Sequence, residues 1–212
     1  GPFAFRDNLA LTSVTLPSTV QKAGPNVFNG CVNLKEVVLP DSLKEIGDHC
    51  FENCQNLREL TIPQEVEYMG DYLFEGCNRL KRVVLRCREI KFSPHTFHSF
   101  WKKNQIFQAE IILDGCSPAK LPEDLRVRVI RRFASQYAEG AEILPEHKDS
   151  VIQYMKRHRN KLIPQALKAP DLLEVMLRER LLKPAEKDAV RKQAAKAGAQ
   201  AALELLDMYE EW

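Results

Sequence analysis

Cys31, Cys54 and Cys77 close the motifs FNGC, FENC and FEGC, each 23 residues after the one before. Thiols in so strict a register admit three chemistries: a zinc centre, a set of disulfides, or an inert column in a repeating core. Zinc needs four ligands converging on one point, whereas a repeat lines its thiols up in a row. Adjacent members of such a row could be bridged, but three cannot all pair. Cys50, Cys87 and Cys116 lie off the register. Six cysteines without paired spacing favour free, buried thiols and a reducing compartment. The row therefore reads as core.

The histidines offer little more. His95 and His98 have a spacing that suits a metal on a helix, but no carboxylate or thiol stands at matching spacing nearby. Surface positions are expected for both. His49, His147 and His158 lie in polar surroundings with no neighbouring nucleophile. The chain has no glycine-rich phosphate loop, no Gly-x-Ser-x-Gly and no His-Glu-x-x-His. The expectation is a protein that is not an enzyme, with no catalytic residue, no cofactor and no metal.

What places the thiols is the period itself. Phe recurs at positions 5, 28, 51, 74 and 97, and Leu at 11, 34, 57 and 80. Val14, Val37, Leu60 and Val83 precede Leu16, Leu39, Ile62 and Leu85 by two residues, and Pro17, Pro40 and Pro63 follow. Gly24, Gly47 and Gly70 close the pattern. A period of 20–29 residues with this leucine spacing marks a solenoid whose turns bury their apolar faces only by stacking. Val37 and Leu39 alternate with Glu36 and Val38, as a strand requires, and Pro40 ends the strand because it cannot donate to a ladder. SLKEIG then predicts a short extended pass on the far side, and DHCFENC a tight helical turn that drops Phe51 inward.

The turns IGDHCFENCQNLRELTIPQEV (46–66) and MGDYLFEGCNRLKRVVL (69–85) resemble the BspA-like subfamily of bacterial leucine-rich repeats. The resemblance spans residues 3–100 and implies a right-handed β/α solenoid with parallel strands on its concave face. The last turn departs from it, with Phe100 where Cys is expected and Lys103 where Leu is expected. AEIILDGC (109–116) reads as one further strand. Gly1-Pro2 reads as the scar of a protease cleavage, outside a solenoid spanning 3–116.

From residue 117 to 212 the period becomes helical, and the segment is expected to cap the solenoid, since open repeat arrays need one. LPEDLRVRVIRRFASQYAEG places Leu125, Val129, Phe133 and Tyr137 on one helix face and ends at Gly140. LPEHKDSVIQYMKRHRNKL predicts a second helix with Ile152 and Met155 inward. Two further helix pairs are expected, over 161–182 broken at Pro170 and over 185–210 broken at Gly198. DAVRKQAAKAGAQAALELLDMY also resembles a degenerate ankyrin helix pair, lacking that family's TPLH start.

With 31 basic and 29 acidic residues the net charge is +2, which exerts no strong pull on nucleic acid or anionic lipid. The basic run KRHRNK (156–161) reads as a solvated helix end. No apolar run reaches the length that crosses a membrane. The candidate binding surface is therefore the outward face of the strands: Lys35, Glu36, Val38, Arg58, Glu59, Thr61, Lys81, Arg82 and Val84. A scaffold that binds another protein on this face is the first expectation, with no nucleic acid and no membrane insertion. A structural spacer or surface-displayed module is the second, and a nucleic-acid adaptor working through the basic helices the third. The unpaired cysteines favour a cytoplasmic location over the cell surface.

Overall fold

The computed structural model describes residues 1–98 and 109–209, which form two compact units, Gly1–Pro122 and Glu123–Trp212. The expected departures at Phe100 and Lys103 lie outside the described residues.

The first unit is a solenoid of parallel strands. One strand of each turn stands on the first side: β1 (Ser13–Thr15), β3 (Glu36–Val38), β5 (Glu59–Ile62), β7 (Arg82–Leu85) and β9 (Glu110–Leu113). The far side carries two-residue strands, β2 (Lys22–Ala23), β4 (Glu45–Ile46), β6 (Tyr68–Met69) and β8 (Lys91–Phe92), in one continuous parallel sheet. The pairings advance by the 23-residue repeat, with Glu45 opposite Lys22 and Tyr68, and Glu59 opposite Arg82, except the last, where Arg82 stands opposite Glu110. Inward residues make the core: Leu34, Leu43, Ile46, Leu57, Ile62 and Leu85 are fully buried. Phe28, Phe51, Phe74 and Phe97 stack through it with ring centroids 5.6–6.4 Å apart. Gly1 and Pro2 sit in register with Gly24 and Pro25, and the Phe3 amide donates to the Pro25 carbonyl at 3.1 Å.

One expectation needs correction here. The turn through DHCFENC is not helical. His49 and Asn53 both adopt left-handed backbone angles (φ 57° and 59°), as do Asn26 and Gly30 one turn earlier and Tyr72 and Gly76 one turn later. This geometry turns the amides of His49 and Asn53 toward the next turn, where they donate to Asp71 O (2.8 Å) and Glu75 O (2.6 Å). A helical turn would have spent those donors locally. The far side is therefore held by inter-turn hydrogen bonds here too. On the strand side β1–β3 and β5–β7–β9 are separate sheets, and among the described residues no ladder joins β3 to β5. The charges offer a reason. In the second sheet the outward file alternates, Glu59–Arg82–Glu110, whereas the step from Glu36 to Glu59 would set like charges side by side at about 4.8 Å.

The second unit holds α1 (Glu123–Ala138), α2 (Pro145–Ala166), α3 (Pro170–Arg178), α4 (Pro184–Ala197) and α5 (Gln200–Met208). Its core includes Leu125, Val129 and Phe133 of α1, Met155 of α2, and Leu172, Leu173 and Met176 of α3. Pro122, Pro145, Pro170 and Pro184 stand at or just before helix starts, where a missing amide costs nothing. Gly198 ends α4 in a left-handed cap (φ 66°).

α2 runs further than its expected end and absorbs the start of the next predicted helix. It carries Pro164 inside and bends at His158 (φ −114°, ψ 15°), whose Nδ1 lies 3.0 Å from the Tyr154 carbonyl oxygen. Val151, not Ile152, is the fully buried neighbour of Met155. His147 is 2% exposed and edge-on to the Phe133 ring at 5.6 Å. Among the described residues no helix is long and apolar enough to cross a membrane.

Candidate binding face

The thiol row is built from the backbone. Each cysteine of the row donates its S–H to a phenylalanine carbonyl of the preceding turn: Cys31 to Phe5 (2.9 Å), Cys54 to Phe28 (3.2 Å) and Cys77 to Phe51 (3.0 Å). All three are fully buried and unpaired by disulfides. Asn33 and Asn56 form a parallel row that the sequence reading passed over, donating to Leu9 O and Val32 O at 2.8 Å. The repeated Asn one residue before Leu34 and Leu57 was its signal. The thiols thus add a second donor to carbonyls that already accept the Asn8, Cys31 and Cys54 amides, while the asparagine side chains reach the Leu9 and Val32 carbonyls.

Burial pushes the thiols of Cys50 and Cys77 up from 9.0 to about 12. Two measurements follow. On the native protein Cys31, Cys54 and Cys77 should alkylate slowly, and intact-mass labelling that shows fast modification would contradict the packed row. Second, from pH 9 to about 12 the unfolded chain releases protons that the folded state keeps, so stability falls as pH rises through that window. Urea unfolding across it should give a less steep decline for Cys77→Ala than for the parent chain.

The His95 ring stacks on Tyr72 at 5.4 Å, and His98 Nδ1 lies 3.5 Å from Glu75 Oε2. Among the described residues no group of three His, Cys, Asp or Glu side chains could hold a metal ion.

The strand residues take the positions expected of an outward face. Glu36, Val38, Glu59, Thr61 and Arg82 are exposed, Val84 is half-buried, and the alternating Val37, Leu60, Ile62 and Val83 are buried. Register brings Ser13 beside Glu36, Thr15 beside Val38, Glu59 beside Arg82 and Thr61 beside Val84. Lys35, Arg58 and Lys81 stand exposed at the strand entrances. The Lys35 amide donates to Thr12 O and the Lys81 amide to Arg58 O, at 2.8 and 2.7 Å.

Where the two sheets part, a groove of about 330 Å³ opens, lined by residues of β3 and β5 and of the exits of β3, β5 and β7, among them Glu36, Val38, Asp41, Glu59, Thr61 and Arg86. Val38 is 45% exposed at its edge. Arg86 is paired with Asp114 at 2.8 Å and Arg82 faces Glu59 at 3.7 Å, whereas Glu36 and Asp41 have no ion pair among the described residues. The expected face thus divides into an open half around β3 and β5 and a closed half around β7.

The helical unit carries a cluster with no forerunner in the sequence reading. Tyr137 OH donates to Glu179, Lys148 Nζ pairs with Glu179 at 2.7 Å, and Arg178 Nε donates to Tyr209 OH at 2.8 Å. These contacts join residues 31–42 positions apart and serve packing; local spacing gives them no signal.

A family model described as BspA type leucine-rich repeat region, in six copies, matches residues 1–112. Among solved structures, a leucine-rich repeat protein of T. pallidum is 25% identical, covering 62% of this chain and 74% of its own, with a TM-score of 0.45. A leucine-rich repeat protein of Bacteroides capillosus is 35% identical over 40% of this chain and 60% of its own, with a TM-score of 0.37. A leucine-rich cell surface protein of Faecalibacterium prausnitzii is 23% identical over 54% of this chain, which spans 36% of its length, with a TM-score of 0.39. No curated protein matches.

Proposed function

We propose, because the chain belongs to the BspA-type leucine-rich repeat family, that it is a scaffold that binds another protein on the concave face of its strands and performs no catalysis. The observation that carries this reading is Val38, an apolar side chain 45% exposed on an ordered strand beside the groove between β3 and β5. Exposed apolar surface rimmed by charge is a frequent mark of a protein-binding site. The ladder beneath holds the outward side chains in place before a partner arrives, which lowers the entropic cost of association. Arg58, Glu59, Thr61, Lys81, Arg82 and Val84 extend the surface sideways, and arginine is enriched at binding hot spots.

The test is cross-linked capture from a native lysate, with Arg58→Glu/Arg82→Glu and Val38→Arg beside a helical control, Lys156→Glu/Lys161→Glu. The strand variants should lose the captured protein roughly tenfold or more while the control retains it. If the strand variants keep every captured protein and the helical control loses them, the helices bind and the strand face does not.

A further inference from the structure

We infer, building on the reading of a partner at the strand face, that the groove between β3 and β5 takes an extended basic segment of that partner. The segment carries Lys or Arg on either side of an aliphatic residue. The groove lies where the ladder stops between these two strands, and its lining has two chemical parts. Val37, Val38, Leu39 and Pro63 form the apolar part, with Val38 45% exposed at the rim. The charged part sets three carboxylates, Glu36, Asp41 and Glu59, against one guanidinium, Arg86.

Ion pairs decide the sign that an occupant meets. Arg86 is held by Asp114 at 2.8 Å, and Glu59 faces Arg82 at 3.7 Å. Glu36 and Asp41 have no ion pair among the described residues. Lys35 and Arg58 stand exposed at the strand entrances, and neither lines the groove. A neutral or acidic occupant would strip water from the two carboxylates and return nothing, which is costly. A cation over each offsets that loss, and Arg does so through two parallel hydrogen bonds.

Spacing sets the pattern. Glu36 and Val38 are two residues apart on β3, and Asp41 follows three residues later, past the strand's exit. An extended segment shows every second side chain on one face, about 6.4–6.8 Å apart. Lying along β3, it presents a cation to Glu36, an aliphatic side chain to Val38 and a second cation toward Asp41. The order is basic, x, aliphatic, x, basic. At about 330 Å³ the groove has room for a few such side chains and not for a folded element. Small-molecule pockets begin at roughly this size.

The experiment pans a phage library of random dodecapeptides on the purified full chain and sequences what binds. The basic–x–aliphatic–x–basic pattern should be enriched over the unselected library. The most enriched peptide is then synthesised with a fluorescent label and its Kd read by anisotropy. Glu36→Gln/Asp41→Asn should weaken binding roughly tenfold or more, as should Val38→Arg, while Lys156→Glu/Lys161→Glu leaves it unchanged. Raising salt from about 50 to about 300 mM should weaken it too, because exposed charge pairs are screened. Circular dichroism checks that each variant is folded; should Val38→Arg not fold, the carboxylate variant and the salt series decide. Peptides without cations, lost with Val38→Arg and kept by Glu36→Gln/Asp41→Asn, would overturn the basic occupant and leave the strand face standing as a binding surface. Binders indifferent to both strand variants would overturn the inference together with the strand-face reading. A library that yields no enriched peptide would overturn the basic segment alone.

Discussion

Phe51→Ala should cost the solenoid about 3–5 kcal/mol, the range for truncating a buried aromatic ring. Phe51 is fully buried, with Phe28 stacked on one face at 5.6 Å and Phe74 on the other at 6.4 Å. Truncation therefore opens a cavity bounded by two rings that belong to other turns and cannot both close in. Phe5 gives the contrast within one column. It is 36% exposed and stacks on Phe28 alone, so Phe5→Ala should cost clearly less. Glu59→Ala provides the second control, since Glu59 is exposed and meets Arg82 only at 3.7 Å. Exposed pairs of that kind contribute little, and the change should stay within about 0.5 kcal/mol. Urea unfolding followed by circular dichroism reads all three. A Glu59→Ala variant less stable than Phe51→Ala would mean that the strand faces are exchanged, as a one-residue slip requires.

The same stack shows why so much of the solenoid was legible in the sequence. Phe28, Phe51, Phe74 and Phe97 occupy equivalent sites in successive turns, as do Leu34, Leu57 and Leu80, so one reading of strand and core was tested again by each repetition. The inward and outward faces followed from alternation at Val37 and Val38. What the repeat hid is what differs between turns while the pattern holds. Glu36 and Glu59 obey the same alternation as their neighbours, and only their shared charge distinguishes the step at which the ladder stops. The left-handed residues had a partial signal: Asp7, Gly30, Asn53 and Gly76 are residue types that tolerate that conformation. His49 and Tyr72 in the companion column are less obvious occupants, and the helical expectation prevailed there. In the second unit the burial of His147 and the passage of α2 through Pro164 depend on long-range packing, which periodicity does not encode.

The glycine column was read as punctuation, and its physical content yields the second large effect. Gly47→Ala should destabilise the solenoid by about 1–3 kcal/mol or more, the cost of overpacking where neighbours cannot yield. A Cβ on Gly47 would lie 2.6 Å from the Pro25 nitrogen, 2.8 Å from the Gly24 carbonyl carbon and 3.0 Å from the Pro25 α-carbon. All three are main-chain atoms of the previous turn, so relief requires separating the turns and not turning a side chain. That separation would strain the bonds from Gly47 N to Ala23 O (2.8 Å) and from Gly70 N to Ile46 O (2.9 Å), which stitch the far-side sheet together. Gly70 faces the same obstruction, from Asp48 N at 2.6 Å and Gly47 C at 2.8 Å, so its Ala variant should fall in the same class. Gly24 should be milder, because its nearest atom, the Pro2 nitrogen, is 3.1 Å away. Gly140 has open space around it but a left-handed backbone (φ 71°), so Gly140→Ala tests conformational preference without any clash. Urea midpoints should therefore rank Gly47→Ala and Gly70→Ala as the most damaging, with Gly24→Ala closer to the parent. Equal loss at Gly24 and Gly47 would contradict the argument, because it would trace the column to backbone flexibility and not to the close approach of successive turns.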